Sequence, residues 1–263
     1  MSAVAEAVAF AEAVATAADR TLGPAPEWTP GAVVDDRSPA LSAALAEMGW
    51  LELAGDAQLA SLAGAAAVPL GRRLAPLADV DALLGGSPLA GELVRYGARA
   101  AVVAGGARVR VVRSEPVAYA DALGVHRVLE LEPDGRAAPH AVAAWTAAST
   151  GYLAGLSAWA FETALEYVRG RRAFGATLAA LSPVQQRLAD TATAVDGLAL
   201  LVDEPPSPAA LAHAGAAAVE ITASCQQLVG AIGFTLEFPL QRAYRRARAL
   251  ALWADALLTP PSR

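Results

Sequence analysis

The sequence predicts a mainly α-helical protein in which a small β domain lies between two helical parts. Apolar residues recur at three- and four-residue steps in the first third and the last half of the chain, which is the spacing of amphipathic helices. The stretch 98–132 is instead rich in valine and partly alternating, which is typical of short strands. We therefore expect an N-terminal helical domain at 1–90, a reduced small β domain at 91–138 and a C-terminal antiparallel four-helix bundle at 139–263.

Composition and charge exclude several classes of protein. The chain has 263 residues with 20 basic and 26 acidic side chains, and every basic one is an arginine, because lysine is absent from the sequence. A nucleic-acid binder would carry a clustered basic surplus. A disordered chain would not combine a mean hydropathy of +0.38 with 17% charged residues. The single cysteine excludes a disulfide scaffold and a cysteine-based metal site. We expect a cytoplasmic protein that binds neither nucleic acid nor metal.

Three helices are predicted in the N-terminal part, at about 2–20, 38–49 and 56–68. The first is not a signal peptide, because it lacks a basic start and carries two glutamates. Further on, residues 141–161 are uncharged and long enough to span a bilayer. Most of them are Ala, Ser, Thr and Gly, which drive insertion weakly, so we expect a buried helix and no membrane contact.

The β domain is predicted to hold three or four short strands. Gly105 and Gly106 lie between two apolar runs and indicate a hairpin. A phosphate-binding loop is not expected there, because no helix begins after the two glycines. Residues 125–132 alternate as a further strand.

Four amphipathic helices with short connections predict the bundle. On the first of them, Gly151 and Gly155 leave room for the close approach of a neighbouring helix. Ser182 is expected to cap the second helix, with Gln185 completing a capping box. Ser207, followed by proline, repeats this start signal for the third helix.

Few residues suggest chemistry on their own. His126, His140 and His213 have no mutual spacing suited to a metal site or a catalytic triad. Cys225 lies in the apolar stripe of its helix, so we expect a buried, inert thiol. The arginines of the last helix could attract an acidic group, but a solvated helix face is expected. These arginines are Arg242, Arg245, Arg246 and Arg248.

Two strings in the bundle stand out, and together they resemble the acyl-CoA dehydrogenase family. The first, at 167–190, is YVRGRRAFGATLAALSPVQQRLAD, where the family shows R-x-x-F-G and a glutamine-rich helix ending in L-A-D. The second, at 226–256, is QQLVGAIGFTLEFPLQRAYRRARALALWADA, where the family shows Q-x-x-G-G-x-G-[FY]-x-x-E-[FY]-P and a basic helix. The resemblance covers about 140–258 and implies an acyl-CoA dehydrogenase-like fold.

The chain departs from this family at the catalytic base. The family carries its glutamate in a Y-E-G-T motif on the last bundle helix, and the corresponding residue here is Ala254. Some members place the base on the first bundle helix, and that position is Trp145. Neither side chain can take a proton, and Asp255 is rotated by about 100° from the buried stripe. The resemblance therefore implies no catalytic residue in this chain.

The resemblance also divides the cofactor site. The family's T-E-x-x-x-G-S-D-like string, which holds the flavin ring, has no counterpart between Leu84 and Val112. What the resemblance retains is contact with the ADP part of an FAD that a neighbouring subunit mainly binds. The implied contacts are Arg171, Phe174, Leu178, Gln227 and Gly230. Arg171 would offer a planar guanidinium to the pyrophosphate, whereas the family's second glycine is Ala231 here and its glutamine after the F-G turn is Ser182.

This pattern implies the non-catalytic subunit of a heteromeric acyl-CoA dehydrogenase, of the kind that actinobacteria use in steroid catabolism. A full-length partner would carry the catalytic glutamate, the flavin ring and the acyl-CoA, and an electron-transfer flavoprotein is one candidate for the electron acceptor, which the sequence does not identify. The pair would oxidise the Cα–Cβ bond of an acyl thioester, for which a bulky steroid-type group is one candidate. Two alternatives stay open: a non-enzymatic scaffold or regulatory protein without flavin, and a self-sufficient homo-oligomer with another base.

Overall fold

The computed structural model describes residues 3–24, 27, 29–173 and 175–258. The helices are α1 (Ala3–Thr21), α2 (Pro39–Glu47), α3 (Ala57–Ala60), α4 (Leu62–Arg72), α5 (Ala78–Leu84), α6 (Pro139–Gly170), α7 (Ser182–Leu201), α8 (Pro208–Val229) and α9 (Leu240–Leu258). The strands are β1 (Ser87–Pro88), β2 (Leu93–Val94), β3 (Ala100–Val102), β4 (Ala107–Pro116), β5 (His126–Arg136), β6 (Arg172–Ala173) and β7 (Ala176–Thr177). The predicted class, mainly α with a small β part and a C-terminal bundle, is confirmed.

Helix α6 lies at the centre of the molecule. Every residue from Ala144 to Ser157 is buried, because α4 packs on one side of the helix and the remaining bundle helices pack on the others. Its uncharged sequence therefore faces protein, as expected for a core helix. In the part of the chain that the structure describes, no helix is long and apolar enough to cross a membrane.

The N-terminal helices join the bundle through a close crossing of α4 and α6. A Cβ atom added at Gly151 would overlap the carbonyl oxygen of Gly64, and one added at Gly155 would overlap that of Val68. Only glycine permits the two backbones to approach this closely. The close approach predicted for these glycines is confirmed.

The sheet has five strands in the order β1-β3-β4-β5-β2, with β1 parallel to β3 and the other pairs antiparallel. Gly105 and Gly106 form the predicted turn between β3 and β4, both with φ +79°. The expectation of three or four strands is too low, because β1 and β2 contain two residues each and show no period in the sequence. Strands β4 and β5 are long, at 10 and 11 residues.

Helices α6 to α9 form the predicted bundle, but one helix begins differently from the prediction. Leu181, not Ser182, caps α7, and its carbonyl accepts hydrogen bonds from the amides of Val184 and Gln185. The short 3-10 turn that precedes α7 brings the helix start one residue forward, so that Ser182 is already helical and forms no capping box. Ser207 caps α8 as predicted, since its Oγ accepts the Ala210 amide at 3.1 Å.

Candidate functional site

Most of the residues predicted to contact a cofactor lie at one end of the bundle, which we call the cofactor-contact end (Arg171, Leu178, Gln227 and Gly230). Helices α6 and α8 end here, and α7 and α9 begin here. Two contacts across this end show the arrangement. Arg187 in α7 donates to Gln227 Oε1 at 2.5 Å, and the rings of Tyr167 and Phe238 meet edge to face at 5.5 Å.

The Arg171 backbone is fixed from both sides while its side chain is exposed. The residue directly follows α6 in an extended conformation, and its amide donates to the Tyr167 carbonyl at 2.9 Å. Its own carbonyl accepts the Leu178 amide at 2.8 Å. In the described residues the guanidinium has no side-chain partner, so its fork of donors is available to an anion.

Two apolar residues, Leu178 and Phe174, were predicted to lie beside Arg171, and the structure describes the first of them. Leu178 is half-buried and packs against the bundle core, so its side chain stabilises the fold as well as bordering this end. Phe174 lies outside the described residues.

Gln227 and Gly230 form the end of α8. Gln227 is exposed, and because its Oε1 accepts from Arg187, its Nε2 is left to donate outward. Gly230 has φ +77°, donates its amide to the Gln227 carbonyl, and an added Cβ would meet nothing within 4 Å. An open backbone and an exposed amide therefore stand together at this helix end.

A cavity of about 480 Å³ opens beside Gln227. Its walls include Phe234 and Leu236, which are 62% and 50% exposed. Side chains as apolar as these are usually buried, and an exposed pair beside polar donors is typical of a surface that contacts another molecule.

Packing fills both positions where the resemblance would place a base. Ala254 is 1% exposed. Trp145 is fully buried, and its Nε1 donates to Asp81 Oδ1 at 3.0 Å. The same carboxylate oxygen accepts from Nη2 of the completely buried Arg95 at 2.5 Å. Burial raises the pKa of Asp81, and the Arg95 charge opposes that rise.

Trp253 completes this buried group, which we call the tryptophan cluster (Asp81, Arg95, Trp145 and Trp253). The Arg95 guanidinium lies 5.4 Å from the centre of the Trp253 ring, and Tyr119 meets that ring edge to face at 5.2 Å. Asp255 is exposed and borders a cavity of about 670 Å³ between α8 and α9. Sequence reasoning missed Asp81 and Arg95, although a charged residue within an apolar run was a signal in each case.

Arg246 corrects the expectation of a solvated face on α9. It is 2% exposed and binds Asp36 and Asp121 through its guanidinium. The reason is its place on the inner stripe of the helix, three residues after buried Ala243 and four before buried Leu250. Arg248 is exposed as expected, whereas Arg242 and Arg245 are half-buried.

Cys225 and the metal-ligating residue types were the remaining chemical candidates. Cys225 is buried, and burial raises the pKa of its thiol to about 12, so the predicted inert thiol is confirmed. Over the described ranges, no three or more His, Cys, Asp or Glu side chains are grouped to hold a metal ion.

Residues 144–254 match a family model described as acyl-CoA dehydrogenase, C-terminal domain. The short-chain specific acyl-CoA dehydrogenase of Sus scrofa is 34% identical over 113 residues, which cover 38% of this chain and 27% of that protein. The 3-sulfinopropanoyl-CoA desulfinase of Paraburkholderia xenovorans is 33% identical over 37% of this chain and 28% of its own length. The match thus spans less than a third of either relative.

Solved structures resemble the chain over almost its whole length. A chain of the ChsE4–ChsE5 complex from Mycobacterium tuberculosis has a TM-score of 0.69 at 19% identity, covering 97% of this chain and 94% of that one. A chain of a Tcur3481–Tcur3483 steroid ACAD variant has a TM-score of 0.68 at 16% identity, covering 94% and 93%. At these identities the similarity shows a shared fold.

Proposed function

We propose that this chain is the non-catalytic subunit of a heteromeric, FAD-dependent acyl-CoA dehydrogenase, because residues 144–254 match the acyl-CoA dehydrogenase C-terminal domain and the fold is acyl-CoA dehydrogenase-like. One contrast carries the proposal. The donors of the cofactor-contact end are exposed and available, whereas the two positions for a base hold Ala254 and Trp145 in a closed core. A homo-oligomer of this chain would lack a proton acceptor at either position.

The residues of the cofactor-contact end suit the ADP part of FAD. The Arg171 guanidinium would bind the pyrophosphate, Gln227 Nε2 would donate to the adenosine, and Gly230 would allow its backbone to approach the ligand. The tryptophan cluster, in contrast, is buried in the core, so we assign the flavin ring to the partner subunit. FAD, when bound, accepts the hydride that leaves Cβ of the acyl group. The partner's glutamate would remove the Cα proton.

The proposed partner is a full-length acyl-CoA dehydrogenase that carries the glutamate, the flavin ring and the acyl-CoA. The two solved structures described above are named as two-component assemblies, and one of them is called a steroid ACAD. They support a heteromer and a bulky, steroid-type acyl group as the first substrate to test. We place the complex in the cytoplasm, with an electron-transfer flavoprotein as its acceptor.

Co-expression separates this proposal from its alternatives. The chain should purify alone without flavin and without acyl-CoA oxidation, and should yield a flavin-containing, active heteromer when it is produced with a full-length dehydrogenase from the same organism. Flavin and activity in the chain alone would contradict the proposal and favour a homo-oligomer. A stable complex that gains no flavin or activity from this chain would favour a scaffold.

Substitution of Arg171 tests the cofactor contact within that complex. Arg171→Ala should lower FAD retention during gel filtration, because the pyrophosphate loses a charged donor worth about 1.5–3 kcal/mol. Arg169→Ala is the matched control, since Arg169 is exposed two residues earlier on α6. Equal FAD retention in the two variants would remove Arg171 from the site.

A further inference from the structure

A further cavity, of about 670 Å³, opens at the edge of the sheet and is separate from the cofactor-contact end. Strand β3 pairs with β4 over Ala100–Val102, and the carbonyl of the preceding Arg99 accepts the Val111 amide at 2.8 Å. The chain enters β3 through Gly97–Arg99, while β4 continues past this point to Pro116. The gap between them, which we call the sheet-edge notch, is lined by Arg99, Arg110, Arg113, Ser114 and Glu132, among others.

Most arginines of the two long strands form an ion pair with a carboxylate on the neighbouring strand, but two arginines that line the notch do not. Elsewhere on the two long strands, Arg108 pairs with Asp134 and Arg127 with Glu115. Inside the notch, Arg110 pairs with Glu132. Arg99 and Arg113, however, make no ion pair or side-chain hydrogen bond with any described residue.

Three guanidiniums therefore face the notch with one carboxylate among them. Like charges held in one concave site repel each other, and a bound anion relieves that repulsion. Arginine presents a planar fork of donors that matches the oxygens of a phosphate group.

Local backbone geometry supports a ligand site rather than an edge for strand addition. The β4–β5 register is irregular on both sides of Arg113, between Val111 and Arg113 and again between Arg113 and Ser114. Bulges of this kind re-aim side chains. Together with edge arginines and a terminal proline at 116, they also protect a sheet edge against pairing with another strand.

We propose that the sheet-edge notch binds a phosphate-bearing ligand, a phosphomonoester or pyrophosphate, through Arg99 and Arg113, with Ser114 Oγ as a further polar group on its wall. Ser114 Oγ lies 3.2 Å from His126 Nδ1, which holds the hydroxyl at the notch wall. The ligand would be recognised by its charge and its tetrahedral oxygens. The site belongs to this chain alone and does not depend on the proposed flavin contact.

Isothermal titration of the purified chain with inorganic pyrophosphate and with ADP tests this site. Both probes should bind in the notch whether or not Arg171 is replaced by alanine, which removes the proposed ADP contact at the cofactor-contact end. Arg99→Gln and Arg113→Gln should each weaken binding in the notch about tenfold, the equivalent of one charged hydrogen bond. Arg127→Gln on the same sheet should leave binding unchanged, because Arg127 lies outside the notch. Tighter binding of ADP than of pyrophosphate would identify a nucleotide as the ligand, and equal binding would identify the phosphate group itself.

Arg99 and Arg113 are exposed and have no ion pair with a described residue, so their substitution should not unfold the protein, which circular dichroism would verify. The proposal is overturned if wild type binds neither probe, or if Arg127→Gln weakens binding as much as the notch variants.

Discussion

Replacing Arg246 with methionine measures how strongly a buried charge cluster holds the parts of this fold together. The guanidinium joins α9 to the loops before α2, after α4 and before β5. Its Nη2 lies 2.5 Å from Asp36 Oδ2, and its Nε donates to Asp121. Its Nη1 donates to the Ala75 carbonyl at 2.9 Å and to the Tyr152 hydroxyl at 3.1 Å.

The magnitude comes from the two carboxylates that the substitution leaves behind. The side chains of Asp36 and Asp121 are each 5% exposed, and burial raises the pKa of Asp36 even with Arg246 opposing it. Removing one partner of a buried ion pair costs about 3–5 kcal/mol. We expect Arg246→Met to lower the free energy of unfolding at pH 7 by this amount. Arg248→Met, on the exposed side of the same helix, should change it by less than about 0.5 kcal/mol.

Urea unfolding followed by circular dichroism at several pH values checks both the size and the cause. In Arg246→Met the folded-state pKa of Asp36 rises further above its unfolded value. The folded state therefore binds protons more readily than the unfolded chain, and the penalty shrinks as pH falls from 7 toward 5. Adding Asp36→Asn and Asp121→Asn should recover most of the loss at pH 7. A loss below about 1 kcal/mol, or one that neutral partners do not reduce, would refute the reasoning.

Three further predictions concern the core. Gly155→Ala should cost at least about 2 kcal/mol in thermal unfolding, because its Cβ would overlap α4, whereas Gly197→Ala on α7, with open space around it, should gain about 0.5–1 kcal/mol. Burial raises the pKa of Asp79 to about 6, so the free energy of unfolding should fall as pH rises from about 4 to 6, and Asp79→Asn should flatten that slope in urea titrations. Cys225 should resist a thiol-specific reagent at pH 8 in the native protein and react fully in urea, because burial holds the pKa of its thiol near 12.

Helical parts of the fold were predictable because their signals are local. The uncharged run of α6 and its two glycines indicate burial and a close crossing, and the structure contains both. Strands β1 and β2 were not predictable, because two residues cannot display a period. The cap of α7 was mistaken because the turn before it, not a side chain, supplies the first acceptor.

The candidate-site residues that belong to local motifs were predictable, and those that meet only through the fold were not. Arg171 and Gln227 belong to strings that can be read along the sequence, and the structure leaves both exposed. Arg187, the partner of Gln227, lies 40 residues away from it and carries no motif. Asp81 on α5 and Arg95 after β2 lie 14 residues apart and meet in the core beside Trp145 and Trp253, which no local pattern records.

All basic residues of this chain are arginines, and Arg95 and Arg246, which are buried in the core, make contacts that lysine could not make. Arg246 reaches four acceptors at once, and Arg95 binds a carboxylate while its plane lies over Trp253. The lysine side chain has one nitrogen, and its pKa falls on burial, so Arg246→Lys would keep the charge and still lose most of these bonds.

The packing of the core also bears on the missing catalytic base. Ala254 is 1% exposed, so a glutamate at this position would place a carboxylate in a closed core. Ala254→Glu should therefore destabilise the chain before it could act on a substrate.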